Sequence, residues 1–259
     1  RITAFSPLLK LHYGAHFFVV WNVCAWSLIL VQYMSRNLGL SDSQASLVFS
    51  LHGAAATLMA MIIGHAIDHI GVFHAVAFAA CGSAASKGLF VLIGSGLLPI
   101  AENTRVIASI VLLVTVIPAC DILMLLVGRI GVKRYSLAAA HVSQYKEASF
   151  ESFDPETRST NFEFALRYSF DNVSALVASA TLALGNAFFP LDEVSMNRMA
   201  ILSTIPVLLA SAAIAAVGIG RDTYNVSLSI SEAISSDIEE SVLIREDAAE
   251  EMPVDLAGA

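Results

Sequence analysis

Apolar residues gather into six long runs, with the polar ones in the stretches between them. The runs cover about 13–34, 44–66, 72–97, 106–128, 163–189 and 198–220. Each is close to the roughly 20 residues that carry a helix across a ~30 Å hydrocarbon core. The second holds no Asp, Glu, Lys or Arg from Ala45 to Ile63. The pattern predicts an all-α membrane protein with six transmembrane helices, preceded by a short amphipathic lead-in ending at His12. Ser35–Ser43, Pro99–Arg105 and Leu191–Asn197 are brief turns, whereas Arg129–Phe162 is a long polar segment of mixed charge. Residues 221–259, rich in Ser and acids and poor in aromatics, have the composition of a disordered segment.

Polar side chains inside the spans are the candidates for chemistry, because ionisable groups are expensive in hydrocarbon. Asp121 follows Pro118, which can kink helix four and free a carbonyl. An acid there must be paired, hydrated or protonated, and it has no cation on its own helix nearby. With Asn22 of helix one and His52 of helix two, Asp121 forms the expected set for solute or proton binding; a hydrogen bond within the bundle is the competing reading of His52. In helix five, Arg167 and Asp171 stand at the i, i+4 spacing that joins side chains on one face, which predicts an ion pair guarding the cytoplasmic end. Counted from the helix ends, Asp121 and Asp171 are expected at comparable depth, each about 12 Å in. Lys87 lies about 22 Å along helix three from Gly71 and either snorkels outward or serves inward. Trp21 and Trp26, near mid-span, are packing bulk or a stacking surface. Helix six, uncharged from Met199 to Ile219, reads as scaffold.

Composition agrees with a membrane protein: 56% of residues are hydrophobic and 14% charged. The net charge of −8 is uneven. Asp222–Ala259 holds ten acids against Arg245, giving −9, so residues 1–221 sum to +1. No basic stripe suggests nucleic acid. Cys24, Cys81 and Cys120 sit in apolar runs without metal-ligand spacing and read as small packing residues. No cofactor or metal is expected. The chain begins with Arg1 and shows no signal-peptide pattern, so a trimmed piece of a longer protein is expected.

Helix two closes on Gly64-x-x-x-Asp68-x-x-Gly71. A glycine at the membrane edge lets a helix approach, another takes φ > 0 in a tight turn, and a carboxylate between them can cap a helix N-terminus. Together with the upstream Leu38-Gly-Leu-Ser-Asp-Ser-Gln-Ala-Ser, this resembles the loop motif between helices two and three of major facilitator superfamily transporters, Gly-x-x-x-Asp-(Arg/Lys)-x-Gly-x-(Arg/Lys)-(Arg/Lys). His69 and His74 stand where that family prefers permanent cations. The resemblance implies that six spans are half of a twelve-helix fold, that the partner is a missing C-terminal half, and that residues 221–259 begin the loop between halves. It also implies that Gly64, Asp68 and Gly71 gate, with Asp68 a latch steadying the outward-open state rather than a solute ligand. Arg167–Leu176 is faintly similar to the fifth-helix signature of proton-coupled oligopeptide transporters. Tyr168, Asn172 and Leu176 match it, which places Asn172 with Arg167 and Asp171 among the gating residues. The Glu-x-x-Glu-Arg cluster of that family's first helix is missing.

Lys and Arg distribution orients the chain. Arg1, Lys10, Arg129, Lys133, Arg134, Lys146, Arg158, Arg221 and Arg245 fall on one side, and Arg36, Arg105 and Arg198 on the other, nine against three. The positive-inside rule then puts both termini in the cytoplasm. The expected function is secondary active transport of a small solute by alternating access, with the proton as candidate coupling ion. The alternative is a six-helix receptor or assembly partner without transport activity. An enzyme is not expected, since no His-Glu-x-x-His or Gly-x-Ser-x-Gly motif occurs.

Overall fold

The computed structural model describes residues 7–144, 155–189 and 191–250, with side chains over 7–63, 70–132, 135, 165–189 and 191–221. Those residues form helices and turns, with no strand among them. The helices are α1 (Pro7–Asn37), α2 (Asp42–Ile70), α3 (Val72–Gly94), α4 (Glu102–Val114), α5 (Val116–Gln144), α6 (Pro155–Phe188) and α7 (Glu193–Glu250). The chain divides at Gly220 into a bundle, Arg1–Ile219, and a second unit, Gly220–Ala259.

Among the described residues, five segments are long and apolar enough to cross a membrane: Pro7–Asn37, Asp42–Ile63, Val72–Gly94, Glu102–Val132 and Glu193–Arg221. The sixth expected span, 163–189, is helical within α6 but is not among them. Arg167, Asp171, Asn172 and Asn186 dilute its apolar content.

Local chemistry sets most of the boundaries. Pro7, whose missing N–H is no loss in a first turn, starts α1, so the lead-in is part of the first helix. At the start of α2 the Ser41 hydroxyl accepts from the Gln44 amide at 3.3 Å, and Gln44 Oε1 accepts from the Ser41 amide at 3.0 Å, a reciprocal capping box. α2 then runs past the expected end at Ala66 to Ile70, and the turn into α3 is made by Gly71 alone at φ 86°, the left-handed region that glycine enters freely. The fourth span is two helices. Thr115, at φ −123° and ψ −82°, separates α4 from α5, three residues before Pro118, which cannot donate to the carbonyl four residues back. The Thr115 hydroxyl donates to Val111 O at 2.6 Å. α7 continues to Glu250, where composition predicts irregular chain after Gly220. The sequence from Arg221 to Met252 contains neither proline nor glycine, so nothing in it stops a helix.

α1 and α5 are the centre of the bundle. α1 packs chiefly on α6 and α5, and α5 chiefly on α3 and α2. α7 ties to α1 through Ser211 Oγ to Ala15 O at 3.0 Å and Asn37 Nδ2 to Val194 O at 2.9 Å. α1 thus neighbours α6 and α7, and α5 neighbours α3 and α2. A core of Trp26, Leu30, Tyr33, Met34, Phe90 and Leu113 fills the space between them. Coverage is uneven: 56% of the apolar window of α1 and of α3 is buried, against 6% of that of α2. Leu58, Met61 and Ile62 of α2 and Tyr168, Leu176 and Phe188 of α6 are exposed.

Candidate functional site

Two polar clusters lie inside the bundle. The first is organised by Lys87, which faces inward and is completely buried. Its Nζ lies 3.0 and 3.1 Å from the two carboxylate oxygens of Asp121 on α5 and 3.1 Å from Asn22 Oδ1 on α1. It also stands 4.7 Å from the centre of the Trp26 ring, a cation–π contact. Ser83, one turn before Lys87, donates to Asp121 Oδ1 at 2.7 Å. Asp121, which has no cation nearby on its own helix, is paired from a neighbouring one, where its own sequence neighbourhood gives no hint. The small residues of α3 let α5 approach closely enough for the contact. Asn22 Nδ2 and Trp26 Nε1 are buried without a partner, which leaves two donors beside the ion pair for an acceptor.

Asp121 borders a cavity of about 220 Å³ between α1, α2 and α5, lined also by Trp26, Phe49, His52, Gly53 and Pro118. His52 Nδ1 lies 2.7 Å from Leu113 O, in the last turn of α4 above the break at Thr115. A carbonyl only accepts, so Nδ1 carries the proton and Nε2 is the acceptor of the neutral ring. The expected trio of Asn22, His52 and Asp121 is brought to one place. Asn22 and Asp121 share Lys87, and His52 joins them across the cavity.

The second cluster lies seven residues further along α5, about 10 Å away. His12 and His16 of α1 stack with ring centres 6.0 Å apart. They enter beside Gly128 and Gly131 of α5, where an added Cβ would collide with the His16 and His12 rings respectively. His12 Nε2 is 3.2 Å from Gly128 O. From α6, Arg167 reaches His16 Nε2 at 3.1 and 3.3 Å and Asp171 Oδ2 at 3.6 Å, while Asp171 Oδ1 stands 3.2 Å from the same His16 nitrogen. The expected Arg167–Asp171 pair is present, but His16 sits in it. Asp171 does not share the depth of Asp121: α6 begins earlier than the fifth span was expected to, and residue 171 faces His16 and not Asn22. Asn172 is exposed and outside the cluster. Gly71 makes the turn already described, whereas the surroundings of Gly64 and the side chain of Asp68 lie outside the described residues.

Reading the sequence left five participants unassigned: His12, His16, Ser83, Gly128 and Gly131. His12-x-x-x-His16, and Ser83-x-x-x-Lys87, each put two polar groups one helical turn apart on one face, and Gly128-x-x-Gly131 offers two slots at matching spacing. Those repeats were the available signal. No protein-family model, curated protein or solved structure matches this chain, so the two clusters and the bundle around them are what bears on function.

Proposed function

We propose that the chain is the N-terminal six-helix half of a secondary transporter of the major facilitator type, carrying a small solute by alternating access. The observation that carries this reading is the Lys87–Asp121 pair beside the cavity of α1, α2 and α5. Two charges taken out of water gain less from each other than well-packed apolar side chains would, and in a membrane span such groups mark a solute or ion path. The neighbour pattern supports it. α1 lies by α6 and α7 as α5 lies by α2 and α3, the pattern that two three-helix repeats would give, the second inverted because each has an odd number of spans. α6 then supplies the fifth span, polar on the side toward α1. α2 and α6 hold equivalent places in the two repeats, and their exposed apolar faces suit a second half. The nine-to-three distribution of cations supports cytoplasmic termini.

In this mechanism a proton or solute cation entering the cavity competes with Lys87 for Asp121. Uptake by the full-length protein in liposomes, against a panel of metabolites with and without a proton gradient, tests it. Gradient-dependent uptake is expected for the natural protein and not for Asp121→Asn. If no panel member is carried, or if Asp121→Asn keeps full pH dependence, the assignment of this site fails. A native chain that stops near Ala259 would instead favour a six-helix receptor or assembly partner.

A further inference from the structure

His16 holds one ring nitrogen against two groups that make opposite demands on it. Nε2 lies 3.1 Å from an Arg167 terminal nitrogen, 3.3 Å from Arg167 Nε and 3.2 Å from Asp171 Oδ1. A guanidinium has only donors, so a bond from Arg167 needs a lone pair on Nε2. A carboxylate has only acceptors, so a bond to Asp171 needs a proton there. One nitrogen satisfies one of them at a time. With Arg167 donating, Asp171 Oδ1 is left buried and without a hydrogen bond.

We infer that His16 is a proton-binding site whose occupancy exchanges its partner. The neutral ring accepts from Arg167, and the protonated ring donates from Nε2 to Asp171 Oδ1 and repels the guanidinium. The proton goes to the Nε2 lone pair, no covalent bond to carbon or oxygen changes, and the cluster gains one positive charge. Both partners stand on α6 and the ring on α1, so the exchange rewrites the contact between those helices.

The surroundings limit the uptake to a single proton. On α1, the stacked His12 faces His16 at 6.0 Å, with Tyr13 beside it. His12 Nε2 is engaged with Gly128 O, so its proton is on that atom and charging both rings would set like charges face to face. On α5 the ring meets Gly128, with Arg129 next in the chain and Tyr135 packed on His12. On α6 the charged groups are Arg167 and Asp171. α7 presents Ser211, bonded to Ala15 O, and no charge from Met199 to Gly220. This site is two turns from the Lys87–Asp121 cavity and does not depend on what that cavity carries.

The test is the ring ¹⁵N spectrum of the full chain, labelled at histidine in lipid nanodiscs and followed across about pH 5 to 9. The His16 signal is identified by its loss in His16→Gln and, independently, by its contact with ¹³C-labelled Gly128. A single protonation step at Nε2 is expected. Asp171→Asn should move its midpoint to lower pH and Arg167→Gln to higher pH, each by about 1 pH unit, and Asp171→Glu should restore the natural value. Opposite movement separates a proton site from a packed polar residue. The inference is overturned if His16 shows no protonation step in that range, or if the two variants leave the midpoint in place or move it the same way.

Discussion

The two clusters bury similar groups and differ in how their donors and acceptors are matched. In the first, Lys87 Nζ meets both Asp121 oxygens and Asn22 Oδ1, and the Lys87 and Asp121 side chains are 0% and 9% exposed. In the second, Asp171 is 26% exposed, one of its oxygens lacks a donor, and one His16 nitrogen stands between a donor and an acceptor. A buried pair holds its charges when every hydrogen and lone pair has a partner. A cluster one hydrogen short has two arrangements of near-equal merit, and a proton chooses between them. Both clusters include groups of α1 and α5; the first joins them to α3 and the second joins them to α6.

The largest effect that can sharpen this contrast comes from breaking each pair. Asp121→Asn leaves the Lys87 ammonium buried without a counterion, and a loss of roughly 3–5 kcal/mol is expected. Lys87→Met combined with Asp121→Leu should recover most of it, since apolar packing replaces the pair. Asp171→Asn, on a partly solvated carboxylate, should lose about 1 kcal/mol or less. Apparent melting temperatures of the purified proteins in one detergent rank the three. Were Asp121→Asn no less stable than Asp171→Asn, the first cluster would not be a charge-compensated pair.

A smaller effect is expected at the glycines. Gly128→Ala places a methyl group where the His16 ring lies, and forcing the ring aside should destabilise by roughly 1–3 kcal/mol. Gly53, also mid-helix, has nothing within 4 Å of where a Cβ would stand. Gly53→Ala should therefore stabilise by up to about 1 kcal/mol through helix propensity. If the two substitutions shift the melting temperature alike, α1 does not approach α5 as closely as the histidine slots require.

How far the sequence reached follows the same physics. Hydropathy locates apolar runs because their length is set by the bilayer, and five of the six runs answer to candidate spans. It does not say which way a side chain turns, since a helix that is apolar all round has no polar face to orient it. Asp121 stands out in the sequence because an acid in a span is rare, yet its partner Lys87 is 34 positions away on another helix. Lys87 itself reads equally well outward or inward until α3 and α5 are placed side by side. Arg167 and Asp171 are legible as an i, i+4 pair, but the imidazole between them comes from 151 residues earlier. The break at Thr115 is foreshadowed by Pro118. The continuation of α7 is not, because an acidic, serine-rich composition argues against a packed core and says little about local backbone geometry.

The smallest expected effect belongs to an acid outside both clusters, and it supplies the baseline for them. Asp192 precedes α7 and is fully exposed; hydrogen bonds from the Ser195 hydroxyl and from its amide, the latter at 3.1 Å to Oδ2, hold the carboxyl below its ordinary range. A carboxyl depressed in the folded state contributes stability that is present above its unfolded value, about 3.9, and is lost as pH falls through the lower folded value. Asp192→Asn keeps a capping oxygen but cannot titrate, so the natural protein should melt slightly higher than Asp192→Asn at pH 7. The gap should close below about pH 4. Both proteins carry the same buried clusters, so anything those clusters do at low pH cancels in the comparison. A gap that persists undiminished at about pH 3 would mean that the carboxylate's charge is not what caps α7. A gap that changes instead between about pH 5 and 8 would mean that the start of α7 feels an imidazole titration.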